Sequence, residues 1–196
     1  MILTIGHSNH ETAGFIELLS RHGVTAVADV RSSPHSSRFP HFCKKAIKES
    51  LLAADIAYVY LGAELGGRPS VTLLNAEGFA DYPRMAEQSL FKEGLGRLTQ
   101  GADRYRLAVM CSEADPADCH RALLIGRQLA TLGLPVGHIL RDGSISTHAQ
   151  FENRLLTMAR LTHSDLFSVL DERIDAAYQH RAARVAWRAE MPEIEE

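Results

Sequence analysis

Cysteine is scarce in this sequence: three in 196 residues, an odd number. That set cannot build the disulfide framework of a small secreted domain. The opening stretch MILTIGHSNHE also lacks the basic lead and the apolar length of a secretory signal, so a reducing, cytoplasmic setting is expected. No apolar run approaches the roughly 18 residues of a membrane span, and no membrane association is expected. Excess charge of one sign is missing too. A formal net charge of -3 argues against a broadly basic nucleic-acid surface but leaves room for a local basic pocket. The P-loop and G-x-G-x-x-G patterns are absent, and the lack of a G-x-S-x-G elbow argues against a serine hydrolase of that type. There is no internal repeat.

What remains is an ordinary globular composition, 45% hydrophobic and 23% charged, with enough chain for one well-buried core and an appended helical segment. Short β-branched or apolar runs at Ile2–Ile5, TAVADV, IAYVYL, RLAVMC and VGHIL read as five strands. Between them lie helical patterns: one from Thr12 with Phe15, Leu18, Leu19 and His22 on one face and Gly23 closing it, one over Lys44–Ala54, and two pieces over Asp81–Gln88 and Ser89–Gln100. A further helix is expected from Asp115-Pro116, where aspartate suits the cap and proline the first position, running through Ala122, Ile125, Gly126, Leu129 and Ala130 to Gly133. GAELGGRPSVTLLNAEG reads as a long irregular loop, and Asp142-Gly143 as a turn. Strand and helix alternate five times. The pattern predicts an α/β fold, a parallel sheet between two helical layers, over residues 1–147. Residues 148–196 read as a helical extension packed on the same domain, with helices over Asn153–Leu161 and Asp165–Arg188 and a disordered acidic end.

Ligands of open parallel sheets bind beyond the carboxyl ends of the strands. Strand by strand, that rim receives Gly6-His7-Ser8, then Asp29, Arg31 and Ser32, then Gly67-Arg68, then Cys111 and Glu113. Cys119-His120-Arg121 follows at the next helix start, and Arg38 lies on a loop of the same rim. Each residue has an ordinary reading beside the chemical one. Cys111 and Cys119 can supply a thiol nucleophile near a helix N-terminus, two ligands of a metal site completed by His120 and Glu113, or two small buried packing groups. Their spacing is not a recognised zinc pattern. Arg121 can grip a phosphate or carboxylate, or tie loops together through Asp29 or Glu113. Arg31, Arg38 and Arg68 can join it in an anionic pocket or stay solvated. Gly67 permits close approach to a ligand or makes a plain turn. His7 beside Ser8 can be a general base or a strand-end cap, and Asp29 can orient His7 or an arginine. The tail segment with Arg181, Arg184, Val185, Trp187 and Arg188 reads more readily as a packing helix than as a nucleic-acid contact.

The stretches TIGHS, DVRSSPHSSRF, YLGAELGGR, GFADYPRM, CSEADPADCHR and GLPVGHI occur in that order. Together, from about Ile2 to Ile139, they resemble the bacterial and archaeal domain of unknown function 488. The resemblance implies an α/β fold and this set of polar motifs, and it supplies no reaction. The chain departs from the pattern at Ser112, where alanine is the usual residue, and at Pro83, which interrupts a segment expected to be helical. The expectation is an enzyme acting on a small anionic, phosphate- or nucleotide-like substrate. Arg31, Arg68 and Arg121 would bind the anion, with Gly6, Ser8, Ser32, Arg38, Gly67 and Cys111 lining the site, while His7, Asp29, Glu113, Cys119 and His120 would carry the chemistry. A nucleotide or nucleic-acid binding module without turnover is the alternative, and a metal or thiol redox site at Cys111, Cys119 and His120 a third reading. No motif names a cofactor, and the oligomeric state is not written in the residues.

Overall fold

The computed structural model describes residues 1–162 and 169–189. Five parallel strands, β1 (Ile2–Gly6), β2 (Ala26–Asp29), β3 (Ala57–Tyr60), β4 (Leu107–Cys111) and β5 (Val136–Ile139), pair in the order β3-β2-β4-β1-β5. A sixth, β6 (Ile145–Thr147), adds antiparallel to the β5 edge. Alternation along the strands explains the layering. Ala26, Ala28, Leu107, Val109 and Val136 enter one buried cluster, whereas Val27, Ala108, Met110, Leu3 and Ile5 enter the other. A sheet with both faces apolar must be covered on both sides.

The helices α1 (Thr12–Arg21) and α2 (Lys44–Ala53) cover one face with Phe15, Leu18, Leu19, Ile47 and Leu51. The other face receives α3 (Gly62–Leu65), α4 (Tyr82–Ala86), α5 (Ser89–Ala102), a π-helical segment at Arg121–Gly126 continuing into α6 (Arg127–Thr131), then α7 (His148–Ala159) and α8 (Leu170–Val185). The chain is a three-layer α/β protein. No helix of the described residues is long and apolar enough to cross a membrane.

Several local expectations need correction. The stretch expected as one long loop after β3 contains α3 and a 3-10 turn at Val71–Leu73. Pro83 does not interrupt a helix. It sits in the first turn of α4, where a missing N–H costs nothing, and Asp81 caps that helix by accepting from the Arg84 N–H. The helix expected to run unbroken from Asp115 is broken at Cys119. Asp115 and Pro116 start only a 3-10 turn, Pro116–Asp118, after which Cys119 is extended (φ -139°, ψ 137°) and a new helical run opens at His120. Strand β6 was not anticipated. The helix placed at Asn153 begins instead at His148, and α8 at Leu170; part of the helix placed from Asp165, and the acidic end, lie outside the described residues.

The start of α7 was readable. Thr147 and Gln150 form a capping box in which the Thr147 hydroxyl accepts from the Gln150 N–H and the Gln150 side chain accepts from the Thr147 N–H. Replacing Thr147 by alanine is expected to cost about 1 kcal/mol, read as a lower urea midpoint at unchanged slope.

Candidate functional site

Register brings the rim together. Gly6 pairs with Cys111, and Asp29 with both Met110 and Tyr60, so four adjacent strands end at one level. The connection after β1 leads to α1 on one face, and that after β4 to the π-helical segment on the other, which opens a crevice between diverging loops. Beyond β1 the two loops stay in step: the His7 N–H donates to Cys111 O at 2.8 Å and the Ser8 N–H to Ser112 O at 2.8 Å. Glycine is required at position 6, because a Cβ there would stand 1.7 Å from Glu113 O.

A cleft of about 200 Å³ opens at this level. Ser32, Ser33, Gly67 and Arg68 line its walls, and Cys111, Glu113 and His120 its floor. Arg31, Tyr82, Ser112 and Asp118 complete it, with Val185 and Trp187 from the end of α8. Tyr82, Asp118, Val185 and Trp187 come from elements that no rim argument assigned to the site. The one sequence signal was that Trp187 is the chain's single tryptophan.

At the base of the cleft lies a network of four reactive groups, of which Cys111, Glu113 and His120 line it while Cys119 is buried behind them. Cys111 and Cys119 each place Sγ 3.0 Å from Glu113 Oε2, and His120 Nδ1 lies 3.7 Å from Cys111 Sγ and 3.8 Å from Cys119 Sγ. His120 Nε2 is 3.2 Å from Val30 O, to which it donates, so Nδ1 faces the sulfurs. Cys119 caps the helical run that begins at His120, its sulfur accepting from the Arg121 N–H at 3.4 Å. Burial pushes the Cys119 thiol up, but the Cys111 hydrogen bond and the Arg121 charge outweigh it and hold Cys119 well below the usual thiol range. Cys111 is pushed well above that range by burial and by its neighbour Cys119. Glu113 stays open to solvent on its cleft side, yet the surrounding protein raises its pKa, and the charge on Cys119 adds to this. The 3.0 Å contact between Glu113 and Cys119 thus sets a raised carboxyl beside a lowered thiol. For His120, burial lowers the pKa, but the Cys119 hydrogen bond and charge raise it further than burial lowers it.

The other expected site residues support this cleft from behind. Asp29 is fully buried and accepts from Arg31 Nε at 2.9 Å, Arg31 Nη2 at 2.6 Å and the Tyr58 hydroxyl at 2.8 Å. Arg31 spends its remaining Nη1 on Phe42 O and His7 Nε2. Asp29 thus orients an arginine, one of its two anticipated roles. His7 stacks on Phe42, and its Nδ1 donates to Ser8 O. Burial, then the Arg31 charge, lowers its pKa to about 4, so it is neutral with its one acceptor nitrogen already used by Arg31. That geometry does not present His7 as a base to the cleft. Arg121 does not line the cleft either. It is fully buried, and its guanidinium donates to Glu113 O at 2.6 Å and Ala114 O at 3.0 Å, not to the carboxylates of Asp29 or Glu113. Ser8 and Arg38 line a separate shallow groove with His7, His35 and Arg141.

The tail helix packs on the body of the protein through Ala177 and Tyr178. Arg181 donates to Ala117 O and pairs with Asp118, and the Arg188 guanidinium lies over the Phe79 ring. Tyr178 ends a buried chain that the sequence did not disclose. Thr4 Oγ1 lies 2.8 Å from His138 Nδ1, His138 Nε2 lies 3.1 Å from His148 Nδ1, and His148 Nε2 lies 2.9 Å from the Tyr178 hydroxyl, which donates to Glu152. One assignment satisfies every link with both rings neutral: each accepts on Nδ1 and donates from Nε2. The chain ties α7 and α8 to β1 and β5.

A parallel sheet covered on both faces, with a polar, thiol-bearing cleft at its strand carboxyl ends, defines the class: a three-layer α/β protein. The chain belongs to the DUF488 family, domain of unknown function, whose model matches residues 11–127. No curated protein and no solved structure matches the chain.

Proposed function

We propose that this protein is an enzyme acting on a small molecule that carries an anionic group, held by Arg68 over the cluster of Cys111, Cys119, Glu113 and His120. The observation that carries the reading is the state of the arginines. Arg31 is consumed by Asp29, Phe42 and His7, and both terminal nitrogens of the buried Arg121 by two carbonyls. Arg68 is exposed on the cleft wall, and its guanidinium has no hydrogen-bond or ion-pair partner among the described residues, while its own N–H donates to Ser32 Oγ at 3.0 Å. An exposed planar fork beside two serine hydroxyls and the Gly67 backbone suits phosphate or carboxylate. A cleft near 200 Å³ lies below the roughly 300–1,000 Å³ of drug-sized pockets, which favours a compact phosphorylated or carboxylated compound over a whole nucleotide. Perturbed ionisable groups gathered at the floor favour turnover over passive binding. The nucleic-acid alternative needs an arginine stripe running past the cleft, and Arg127, Arg154 and Arg181 each face an aspartate instead.

The test is a thermal-shift panel of phosphate, sulfate, small phosphorylated and carboxylated metabolites, and nucleotides. A compound at 100 times its Kd stabilises the fold by about 2.7 kcal/mol. The native protein is expected to respond to compact anions. Arg68→Ala should lose that response while keeping its own stability within about 0.5 kcal/mol, as an exposed substitution. The stabilising compound, incubated with protein and followed by NMR, should be converted; an unchanged compound favours the binding module. An equal shift in both proteins removes Arg68 from the site and overturns the reading.

A further inference from the structure

We propose that Cys111, Cys119 and His120 form a binding site for a zinc-class divalent cation, held by two thiolate sulfurs and the imidazole Nδ1. The proposal deepens the reading of this cleft by naming a cofactor for its floor. It rests on that reading for its catalytic meaning, whereas the site itself rests on geometry alone.

The three donor atoms lie within 4.8 Å of one another, and all three residues are buried. Zinc bonds of about 2.3 Å to sulfur and 2.0–2.1 Å to nitrogen, in a tetrahedron, give sulfur–nitrogen edges of about 3.6 Å. The observed separations of 3.7 and 3.8 Å need almost no adjustment. Packing alone does not demand such convergence, since two buried thiols and an imidazole could each turn to a backbone partner.

The surroundings are those of a ligand set. Nε2–H of His120 donates to Val30 O, which fixes the ring and leaves Nδ1 as the lone pair facing the sulfurs, the outer hydrogen bond that metal-bound histidines characteristically make. Cys119 Sγ accepts the Arg121 N–H at the start of a helical run, where a thiolate is favoured. Gly67 lets backbone pass against the His120 ring, because a Cβ there would sit 2.7 Å from Nδ1. The break at Cys119 has its explanation here. An extended Cys119 followed by a helical His120 turns two adjacent side chains onto the sulfur of Cys111, which ends β4. The pair C-x7-C-H escapes the usual zinc spacings because its ligands come from a strand end and a helix start.

Three ligands leave a fourth position, the arrangement of catalytic rather than structural zinc, and Cys111 and His120 both line the cleft. Glu113 Oε2, 3.0 Å from both sulfurs, now accepts from their S–H groups; once these protons are displaced by the metal it can serve as their outer partner by taking up one of them and donating it back. On binding, each thiol S–H bond is exchanged for a sulfur–metal bond, and up to two protons per cation leave to solvent or to Glu113; no electron is transferred.

The full-length protein, purified without chelator, should contain zinc near one equivalent by elemental analysis. After chelator treatment it should take up Co2+ with sulfur-to-cobalt charge transfer and the visible bands of a tetrahedral site. Cys111→Ser, Cys119→Ser and His120→Asn should each lose more affinity than the roughly 10–100-fold typical of removing an outer partner, while Cys43→Ser, outside the cluster, binds as the native protein does. The native protein and Cys43→Ser keep the test decisive if the ligand variants do not fold. A native protein that shows no thiolate–cobalt charge transfer and no stoichiometric zinc overturns the proposal, as does a metal signal that Cys43→Ser abolishes. A protein that holds zinc yet ignores every anion keeps this inference and sinks the anion reading; the reverse outcome does the opposite.

Discussion

Lowering the pH from 7 to 5 is expected to destabilise this protein through groups that are not carboxylates. The cause is three buried histidines. His138 is pushed down to about 3, chiefly by burial and then by His148; His148 falls to about 4 through burial and then Arg127; His7 falls to about 4 through burial and then Arg31. In the unfolded chain all three return to about 6.5. Above that value neither state binds the proton, and their contribution is fully present. Below it the unfolded state binds protons that the folded state refuses, so stability falls with pH until the folded values near 4 and 3 are reached. Each histidine costs about 1.4 kcal/mol per pH unit, which sums at pH 5 to roughly 6 kcal/mol as an upper bound. The raised pKa values of His120, Glu113 and Glu152 work the other way, because the folded state binds those protons more readily, so the net loss is smaller than this sum. The lowered pKa of Asp115, held by Arg154, acts in a separate window: its contribution is lost only as pH falls below the usual aspartate value. Urea midpoints at pH 7, 6 and 5 measure the slope, and His148→Phe should flatten it by about one third whatever it costs at pH 7. A stability independent of pH over this range would mean that the histidine chain is not held neutral.

Removing Arg121 is expected to cost about 3–5 kcal/mol and not to act first through ligand affinity. The side chain is fully buried, and its fork closes on Glu113 O and Ala114 O. Truncation to alanine opens a cavity and strands two carbonyls, one of them wedged against Gly6, where there is no space even for a methyl group. It also removes the positive charge that favours the Cys119 thiolate. Lysine should recover only part of this, since an ammonium lacks the planar fork that reaches both oxygens. Urea unfolding of native, Arg121→Lys and Arg121→Ala proteins should rank them in that order. An Arg121→Ala protein with the native midpoint but no response to phosphate would put Arg121 in the ligand site and demand a different arrangement of the loop after β4.

The alternation of apolar runs and helical patterns determined the class of fold by itself, because a strand buried on both faces leaves a continuous apolar signature that no surface element mimics. The same logic placed Arg31, Ser32, Gly67, Arg68, Cys111 and Glu113 at one rim, since residues that follow parallel strands end at one edge of the sheet. What these residues touch was decided elsewhere. Whether an arginine binds a ligand or a neighbouring group depends on how the folded loops turn, and only packing shows that Arg31 folds back on Asp29, or that Arg121 reaches Glu113 O. The break at Cys119 was illegible for the same reason: local capping favours a helix from Asp115, and the tertiary contacts of Cys119 and His120 override it. The link from Thr4 through His138 and His148 to Tyr178 spans the whole chain, and Trp187 reaches the cleft from its far end. Sequence periodicity records which way a side chain faces, not what it meets there; the meeting is decided by the closing of the three layers on one another.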